Sequence, residues 1–261
     1  MMLSVRVLFL LTALAVAVAV VAGSSDSQLK EEQVNAFKKW FIDKGGVVNG
    51  LDVAEFSGMG RGIQAASDVS ADQDVLFIPA SMIISANTVK TSDDRDHKQL
   101  YKLFQDEQEL ITAFILFERA KGDDSFWKPY FDVLPEYIPN LGHCSPEELD
   151  GLQHPPFANE VKRTNKKTRA AFQNFLIKTN EFWPSSVTAT ELDYMWAASI
   201  VDSRAFRFKG SINLAPFSDM FNYAPHSEAR TPNAGNFFLK HHKLTSAGLH
   251  VSADRFVFLF V

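Results

Sequence analysis

The segment 201–223, VDSRAFRFKGSINLAPFSDMFNY, places charged and amide side chains on either side of a short apolar stretch. Arg204 lies at the end of a predicted helix, whereas Asp219 and Asn222 come after the predicted strand that follows. A guanidinium, a carboxylate and an amide beside apolar residues are typical of a site that binds a polar ligand. Arg204 and Asp219 could equally form a structural ion pair, so the residue types leave both interpretations open.

A second candidate segment is SGMGRG, in which glycines occupy positions 58, 60 and 62. Glycine lets a backbone turn with positive φ or lie close to a ligand. The spacing does not match a dinucleotide-binding fingerprint, and the GK[ST] of a P-loop is missing. The segment is therefore either a tight turn between strands or a ligand-binding loop.

Other common chemistries find little support in the sequence. It contains no G-x-S-x-G serine motif and no H-E-x-x-H zinc motif. Cys144 is the only cysteine, which excludes a disulfide within the chain and a paired-cysteine zinc site. The net charge of −5 argues against nucleic-acid binding. We therefore expect the protein to bind neither a metal ion nor nucleic acid. The basic run 162–169 is either a solvated helix face or a docking surface for an acidic partner.

The elements that must position these residues are short strands at both ends of the chain and helices between them. Helices are predicted at 29–44 and 158–180, and strands at 51–56, 62–66, 74–78 and again from Ile212 onward. Two capping boxes, Ser145–Glu148 and Thr188–Glu191, are predicted to open helices. This order predicts an α+β fold whose short strands form small sheets, split by a mostly helical insertion.

Residues 1–22 have the pattern of a targeting segment. Arg6 is the one charge, and an apolar run extends from Val7 to Ala22. As a helix this run would be about 24 Å long, which is short of the ~30 Å hydrocarbon core of a bilayer. We expect a signal peptide cleaved after Ala22 or Gly23, with an uncleaved membrane anchor as the alternative. The protein is thus expected to enter the secretory pathway, and two-step targeting to an organelle stays open as a final destination.

Several segments, in order, resemble one family. GRGIQAASDVSADQDVLFIPASMIIS at 60–85 resembles the opening strands of SET-domain methyltransferases. SFWKPYFDVLPEYIPNLGHCSPEELDGLQ at 125–153 resembles the helical insertion of the Rubisco lysine methyltransferase and actin-histidine methyltransferase subfamily. SRAF at 203–206 and LAPFSDMFNY at 214–223 resemble the later core of that subfamily.

The resemblance implies a fold, a cofactor and a reaction. It implies a SET-type core, S-adenosyl-L-methionine as cofactor, and N-methylation of a lysine or histidine of a protein substrate. We expect the protein to be a monomer. Membrane association is expected only if the N-terminal segment is an uncleaved anchor. Together with the signal peptide expected at 1–22, the chain is expected to divide into the N-terminal helix and first part of the core at 29–87, the helical insertion at 88–200, and an incomplete second part of the core at 201–261.

The resemblance also assigns site residues. The family's substrate-contacting positions map onto Arg204 and Asp219, and Tyr223 replaces a histidine that is usual there. The family's cofactor-contacting positions map onto Met59, Gly60, Arg61, Gly62, Arg204, Asn222 and Tyr223.

The last residues depart from the family pattern. After LHVSADR at 249–255 the sequence continues as FVFLFV, and no tyrosine follows Tyr223. The family's tyrosine beside the transferred methyl group therefore has no counterpart, and no catalytic residue is assigned. We expect this chain to be weakly active or inactive, the alternative being a non-catalytic SET-like protein-binding module or a truncated fragment. Residues 251–261 are predicted to form a strand that is apolar on both faces.

Overall fold

The computed structural model of the chain describes residues 30–56, 60–70, 73–138, 144, 146–151, 154–208, 210–222, 239–244 and 248–253. The described helices are α1 (30–43), α2 (Ala86–Thr91), α3 (Arg95–Leu103), α4 (Glu107–Ala120), α5 (Lys128–Phe131), α6 (Pro146–Asp150), α7 (Pro155–Thr179) and α8 (Glu191–Arg204). The described strands are β1 (Val47–Val48), β2 (Leu51–Phe56), β3 (Gly60–Ala65), β4 (Asp74–Pro79), β5 (Ile84–Ser85), β6 (Phe206–Phe208), β7 (Ser211–Leu214), β8 (Leu239–Leu244) and β9 (Gly248–Ala253).

Strands from the two ends of the described chain pair with each other. One antiparallel sheet has the order β1-β4-β9-β8, and a second has the order β5-β7-β6. Strands β2 and β3 form a separate antiparallel pair. Helices α2 to α8 therefore form an insertion between strands that meet in the same sheets. The predicted α+β class, with small sheets split by a mostly helical insertion, is confirmed.

Buried aromatic rings join the first helix to the second half of the chain. Phe37 and Phe41 of α1 are fully buried, and their ring centroids lie 5.0 Å and 4.7 Å from that of Phe217. The ring of Phe37 also lies 6.3 Å from that of Tyr130 in α5. Such ring pairs add packing energy beyond the area they bury. One aromatic cluster thus fixes α1, α5 and the loop around Phe217 relative to one another.

A partly buried network of charges lies inside the insertion, between α3 and the end of α4. Nε2 of His97 lies 2.6 Å from Oε1 of Glu118, and Nζ of Lys121 lies 2.5 Å from the same oxygen. The Lys121 ammonium also donates to Oδ2 of Asp94 at 2.8 Å. Ligand atoms of Asp94, His97 and Glu118 lie within 4.8 Å of one another, as in a metal site. The ammonium of Lys121 lies between the two carboxylates and supplies one positive charge to them.

The structure corrects some local predictions. Strand β3 begins at Gly60, so the glycines at 60 and 62 belong to the strand and not to the turn before it. The capping box predicted at Thr188–Glu191 is wrong, because α8 begins at Glu191 with Thr190 as its N-cap. The Thr190 hydroxyl accepts from the N–H of Asp193, and the Asp193 carboxylate accepts from the N–H of Thr190. Thr188 therefore precedes the N-cap.

Other predictions concern residues outside the described part of the chain. These are the signal segment 1–22, the cap residue Ser145, and residues 254–261 of the predicted terminal strand. Residues 251–253 of that strand form the end of β9. Among the residues that the structure describes, no helix combines the length and apolarity needed to cross a membrane.

Candidate functional site

Arg204 and Asp219 meet where helix α8 ends. Arg204 is the last residue of α8, and its Nη1 donates to the carbonyl oxygen of Asp219 at 3.0 Å. The same nitrogen lies 3.3 Å from Oδ2 of Asp219. The Asp219 side chain is 1% exposed. The ion pair left open by the sequence therefore exists, and its carboxylate is buried behind the arginine.

A buried tyrosine from the insertion completes this group. The hydroxyl of Tyr130 donates to Oδ2 of Asp219 at 2.7 Å. Burial, followed by the negative charge of Asp219, raises the pKa of Tyr130 well above its ordinary value, so the phenol stays protonated and can donate. Burial also raises the pKa of Asp219, although Arg204 and the Tyr130 hydrogen bond act in the opposite direction. Oδ1 of Asp219 is buried and accepts no hydrogen bond from the described chain.

The backbone just before Asp219 is strained. Phe217 has φ of 71° and ψ of −50°, a conformation that is rare for a bulky residue. Such strain persists only where the surroundings hold it, and here the rings of Phe37 and Phe41 do so. The strained residue leads directly into the short 3₁₀ turn Ser218–Met220. The aromatic core therefore sets the direction from which Asp219 meets Arg204.

A cleft of about 370 Å³ is lined by Arg204 and not by Asp219. Strand β3, the chain after α5, the end of α8 and the 3₁₀ turn all contribute to its walls. The lining residues are Lys30, Glu55, Gly60, Arg61, Val133, Pro135, Tyr137, Ile138, Ser203, Arg204 and Met220.

Two side chains hold the wall of the cleft that comes from the insertion. Nη1 of Arg61 donates to the carbonyl oxygen of Val133 at 2.6 Å, and its Nε lies 3.4 Å from Oε1 of Glu55. Nε1 of Trp196 in α8 donates to the carbonyl oxygen of Pro135 at 2.9 Å. Backbone carbonyls of residues 133 and 135 are thus anchored to β3 and to α8. This wall is fixed although it belongs to no helix or strand.

Gly62 and Asn222 lie against each other beside the cleft. A Cβ added to Gly62 would lie 2.3 Å from Nδ2 of Asn222 and 2.9 Å from Cε2 of Phe56. The amide of Asn222 therefore occupies the space that a side chain at position 62 would need. Gly60, by contrast, has φ of +69° and no atom within 4 Å of where its Cβ would be. The backbone of β3 is therefore open at Gly60, whereas at Gly62 it is covered by the amide of Asn222.

The arrangement is one for binding and orientation. Arg61 and Arg204 place two guanidinium groups on the cleft, next to the apolar side chains of Val133, Ile138 and Met220. Such a cleft suits a ligand of small-molecule size that carries both an anionic group and apolar surface.

The structure brings together several of the residues assigned from sequence. Gly60, Arg61 and Arg204 line one cleft, Gly62 touches Asn222, and Asp219 holds Arg204 from behind. Met59 and Tyr223 lie outside the described residues.

Sequence reasoning missed the contribution of the insertion. It assigned no role to Tyr130, Val133, Pro135 or Trp196, although the first three lie in the segment 125–153 that carried the resemblance. The proline–tyrosine pair in WKPYF was the available signal, but nothing in the sequence indicated that this tyrosine reaches Asp219.

Solved structures with the same architecture were found by structural comparison. Rubisco LSMT bound to AdoMet superimposes with a TM-score of 0.68 at 21% identity, covering 87% of this chain and 52% of that one. The SET domain of LSMT bound to lysine and AdoHcy gives a TM-score of 0.67 at 20% identity, covering 88% and 53%. The chain has the SET-domain fold. Its predicted SET-type core is thereby confirmed.

Curated relatives are consistent with this SET fold. An aldolase-lysine N-methyltransferase of Arabidopsis thaliana chloroplasts is 29% identical over 211 residues, which cover 77% of this chain and 42% of that protein. Human actin-histidine N-methyltransferase is 24% identical over 205 residues, which cover 74% and 34%. The chain thus spans less than half the length of these relatives. No protein-family model matches the sequence. The SET-fold chain resembles the Rubisco lysine and actin-histidine methyltransferases, as the sequence motifs indicate.

Proposed function

We propose that the protein is an S-adenosylmethionine-dependent N-methyltransferase that acts on a lysine or histidine side chain of another protein. The observation that carries the proposal is the cleft, in a SET fold, at which Gly60, Arg61 and Arg204 meet. The curated relatives support it, since they are named as protein-lysine and protein-histidine N-methyltransferases. The similar solved structures add support, since they hold AdoMet or AdoHcy.

The residues of the cleft fit this cofactor. A volume of about 370 Å³ lies within the range of roughly 300–1,000 Å³ usual for small-molecule sites. The open backbone at Gly60 gives a ligand close access to β3. Arg61 and Arg204 offer positive charge to a carboxylate, and the amide of Asn222 offers hydrogen bonds next to Gly62. When bound, the cofactor supplies an electrophilic methyl group on its sulfonium.

The protein's own part in the reaction is to orient a nitrogen nucleophile and to exclude water. Alignment of two reacting groups can contribute ~7–11 kcal/mol. Val133, Ile138 and Met220 form apolar walls, and a drier cleft strengthens the electrostatic interactions inside it.

Binding of S-adenosylhomocysteine tests the cofactor part of the proposal. Isothermal titration calorimetry should show saturable binding to the wild-type chain. Arg204→Ala should weaken this binding at least tenfold, because the variant loses a guanidinium from the cleft wall. The matched control is Arg207→Ala, since Arg207 is exposed on β6 and is not among the cleft residues. Equal binding by wild type and Arg204→Ala would contradict the proposed position of the cofactor.

Turnover tests the reaction itself. The chain is incubated with methyl-labelled cofactor and a panel of proteins and peptides that present lysine or histidine. Label on a protein side chain, lost in Arg204→Ala and kept in Arg207→Ala, is the expected result. Cofactor binding without any transfer would favour the non-catalytic binding module. The expectation of weak turnover stays a prediction, and the same assay measures it.

A further inference from the structure

The helical insertion contributes a hydrogen-bond donor to the centre of the site. Tyr130 lies in α5, which is four residues long and has a proline in its first turn. The tyrosine is fully buried, and its ring lies 6.3 Å from that of Phe37 and 5.8 Å from that of Phe131. These contacts pack the ring on two sides. The hydroxyl lies 2.7 Å from Oδ2 of Asp219, a residue 89 positions later in the chain.

Tyr130, Asp219 and Arg204 form a chain of hydrogen bonds that ends at the cleft. Oδ2 of Asp219 accepts from the Tyr130 hydroxyl and also faces Nη1 of Arg204. Within the described residues, these two side chains are the charged or titratable groups that act on Asp219: Arg204 from α8 and Tyr130 from α5. Arg204 alone of the three lines the cleft. Any influence of the Tyr130 hydroxyl on a ligand therefore passes through the carboxylate that accepts its hydrogen bond.

We propose that Tyr130 is a positioning residue for the methyl transfer proposed above: its hydroxyl orients Asp219 and favours its ionised form, and the carboxylate in turn fixes Arg204 at the cleft. A buried carboxylate is costly unless donors compensate it. Oδ1 accepts no hydrogen bond from the described chain. The cost of burying the carboxylate is therefore offset by the groups that contact Oδ2, which are the Tyr130 hydroxyl and Nη1 of Arg204. Loss of the phenol hydrogen bond leaves Arg204 as the one remaining side-chain donor within that part of the chain. The inference rests on the proposed function only for its last link, from Arg204 to the cofactor.

The variant Tyr130→Phe removes the hydroxyl and keeps the ring in the aromatic cluster. The matched control is Tyr194→Phe, because Tyr194 is also buried but lies ten residues before Arg204 on α8, about 15 Å along the helix. One readout is the titration of the Asp219 carboxyl carbon by ¹³C NMR, with the signal assigned through Asp219→Asn. The other is the dissociation constant of S-adenosylhomocysteine, measured by calorimetry from acidic to neutral pH.

We expect the Asp219 carboxyl to titrate at higher pH in Tyr130→Phe than in the wild type, and at an unchanged pH in Tyr194→Phe. Binding by Tyr130→Phe should weaken about tenfold, which is about 1.4 kcal/mol, at the acidic end of the series. The difference from wild type should shrink as the pH rises, because Asp219 is then ionised in both proteins. A merely structural role would produce a loss that does not depend on pH.

A second measurement separates the proposal from a folding defect. In an Asp219→Asn background, Tyr130→Phe should no longer change the pH dependence of binding, because the group on which it acts is gone. An Asp219 titration that is the same in wild type and Tyr130→Phe overturns the inference. A binding loss of equal size at every pH overturns it as well. A wild-type chain that binds no S-adenosylhomocysteine overturns the proposed function, and the carboxyl titration then decides the role of Tyr130 by itself.

Discussion

At the scale of single residues, the amide of Asn222 occupies the space that a side chain at Gly62 would need. The distances of 2.3 Å to Nδ2 of Asn222 and 2.9 Å to a ring carbon of Phe56 are closer than a Cβ could tolerate. The end of the exposed Asn222 side chain can move more cheaply than the backbone of β3. A side chain at position 62 should therefore displace the amide, shift the Phe56 ring slightly and leave the strand folded.

The variant Gly62→Ala tests this relation. We expect the free energy of unfolding to change by no more than about 1 kcal/mol, because removing a glycine also restricts the unfolded chain. Binding of S-adenosylhomocysteine should weaken about tenfold, or about 1.4 kcal/mol, because the displaced amide no longer lies beside the cleft. Urea unfolding and calorimetry measure the two quantities.

Gly151→Ala is the matched control for this substitution. Its added Cβ would meet only backbone oxygens of Glu147 and Glu148, at 3.5 Å and 3.4 Å, and its φ is not positive. It should leave binding unchanged. Equal binding by Gly62→Ala and Gly151→Ala would show that Asn222 has no part in the site.

Another single-residue effect concerns the carboxylate of Asp94 in the insertion. Burial acts to raise the pKa of Asp94, but the hydrogen bonds from Lys121 and from the Asp96 N–H outweigh it and lower the pKa from 3.8 to about 2. Because the folded-state pKa is depressed, the stabilisation is present above about pH 4. It is lost as the pH falls from about 4 toward 2.

Asp94→Asn should therefore lower the free energy of unfolding by about 1 kcal/mol near neutral pH, and by progressively less as the pH falls below 4. Urea unfolding at several pH values measures this difference. Asp43→Asn is the control, because Asp43 pairs with Lys39 on the exposed surface of α1, where such pairs contribute at most ~0.5 kcal/mol. A penalty for Asp94→Asn that stays constant down to pH 2 would contradict this account.

At the scale of elements, the start of α8 depends on one threonine of two candidates. Thr190 and Asp193 exchange hydrogen bonds with each other's backbone, whereas the exposed Thr188 precedes the helix. Thr190→Ala should reduce the unfolding free energy by ~1 kcal/mol, and Thr188→Ala by less than ~0.5 kcal/mol. Thermal unfolding of both variants measures the two losses. A larger loss in Thr188→Ala than in Thr190→Ala would support the capping box predicted at Thr188–Glu191.

This helix start shows where sequence patterns are strong and where they are ambiguous. The apolar spacing in α1 and the pattern of α7 predict these helices to within a few residues, since a buried face imposes a period on the sequence. The sequence from Thr188 to Asp193 contains two overlapping capping boxes. The hydrogen bonds of the folded chain show that the box formed by Thr190 and Asp193 is the one used.

At the scale of the whole molecule, the fold class and the order of its parts follow from the sequence, but the cleft does not. Gly60, Arg61 and Arg204 could be singled out from their motifs. Tyr130 and the carbonyl of Val133 could not, because their contacts with Asp219 and Arg61 join residues 89 and 72 positions apart. Local sequence patterns do not predict contacts between residues so far apart in the chain. These contacts form only when the insertion packs against the strands.

The destination of the whole protein is a separate proposal, carried by residues 1–22. We propose that this segment directs the chain into the secretory pathway and is cleaved near Ala22. Residues 1–30 fused to a fluorescent reporter should give a processed reporter in secretory compartments. Deletion of Val7–Ala22 from the same fusion should return the reporter to the cytosol. An unprocessed, diffuse signal from the intact fusion would contradict the proposal.

The pairing of β4 with β9 has a consequence for synthesis on the ribosome. Pro79 lies opposite Gly248, so one edge of β4 gains its partner only when the end of the described chain has been made. At roughly 5–20 residues per second, the roughly 170 intervening residues take about ten to thirty seconds to translate. During that interval the nascent chain presents a strand edge, with Val75, Leu76 and Ile78 beside it, that other chains can pair with. The insertion that supplies Tyr130 to the site thus also prolongs the time for which this edge of β4 lacks its partner strand.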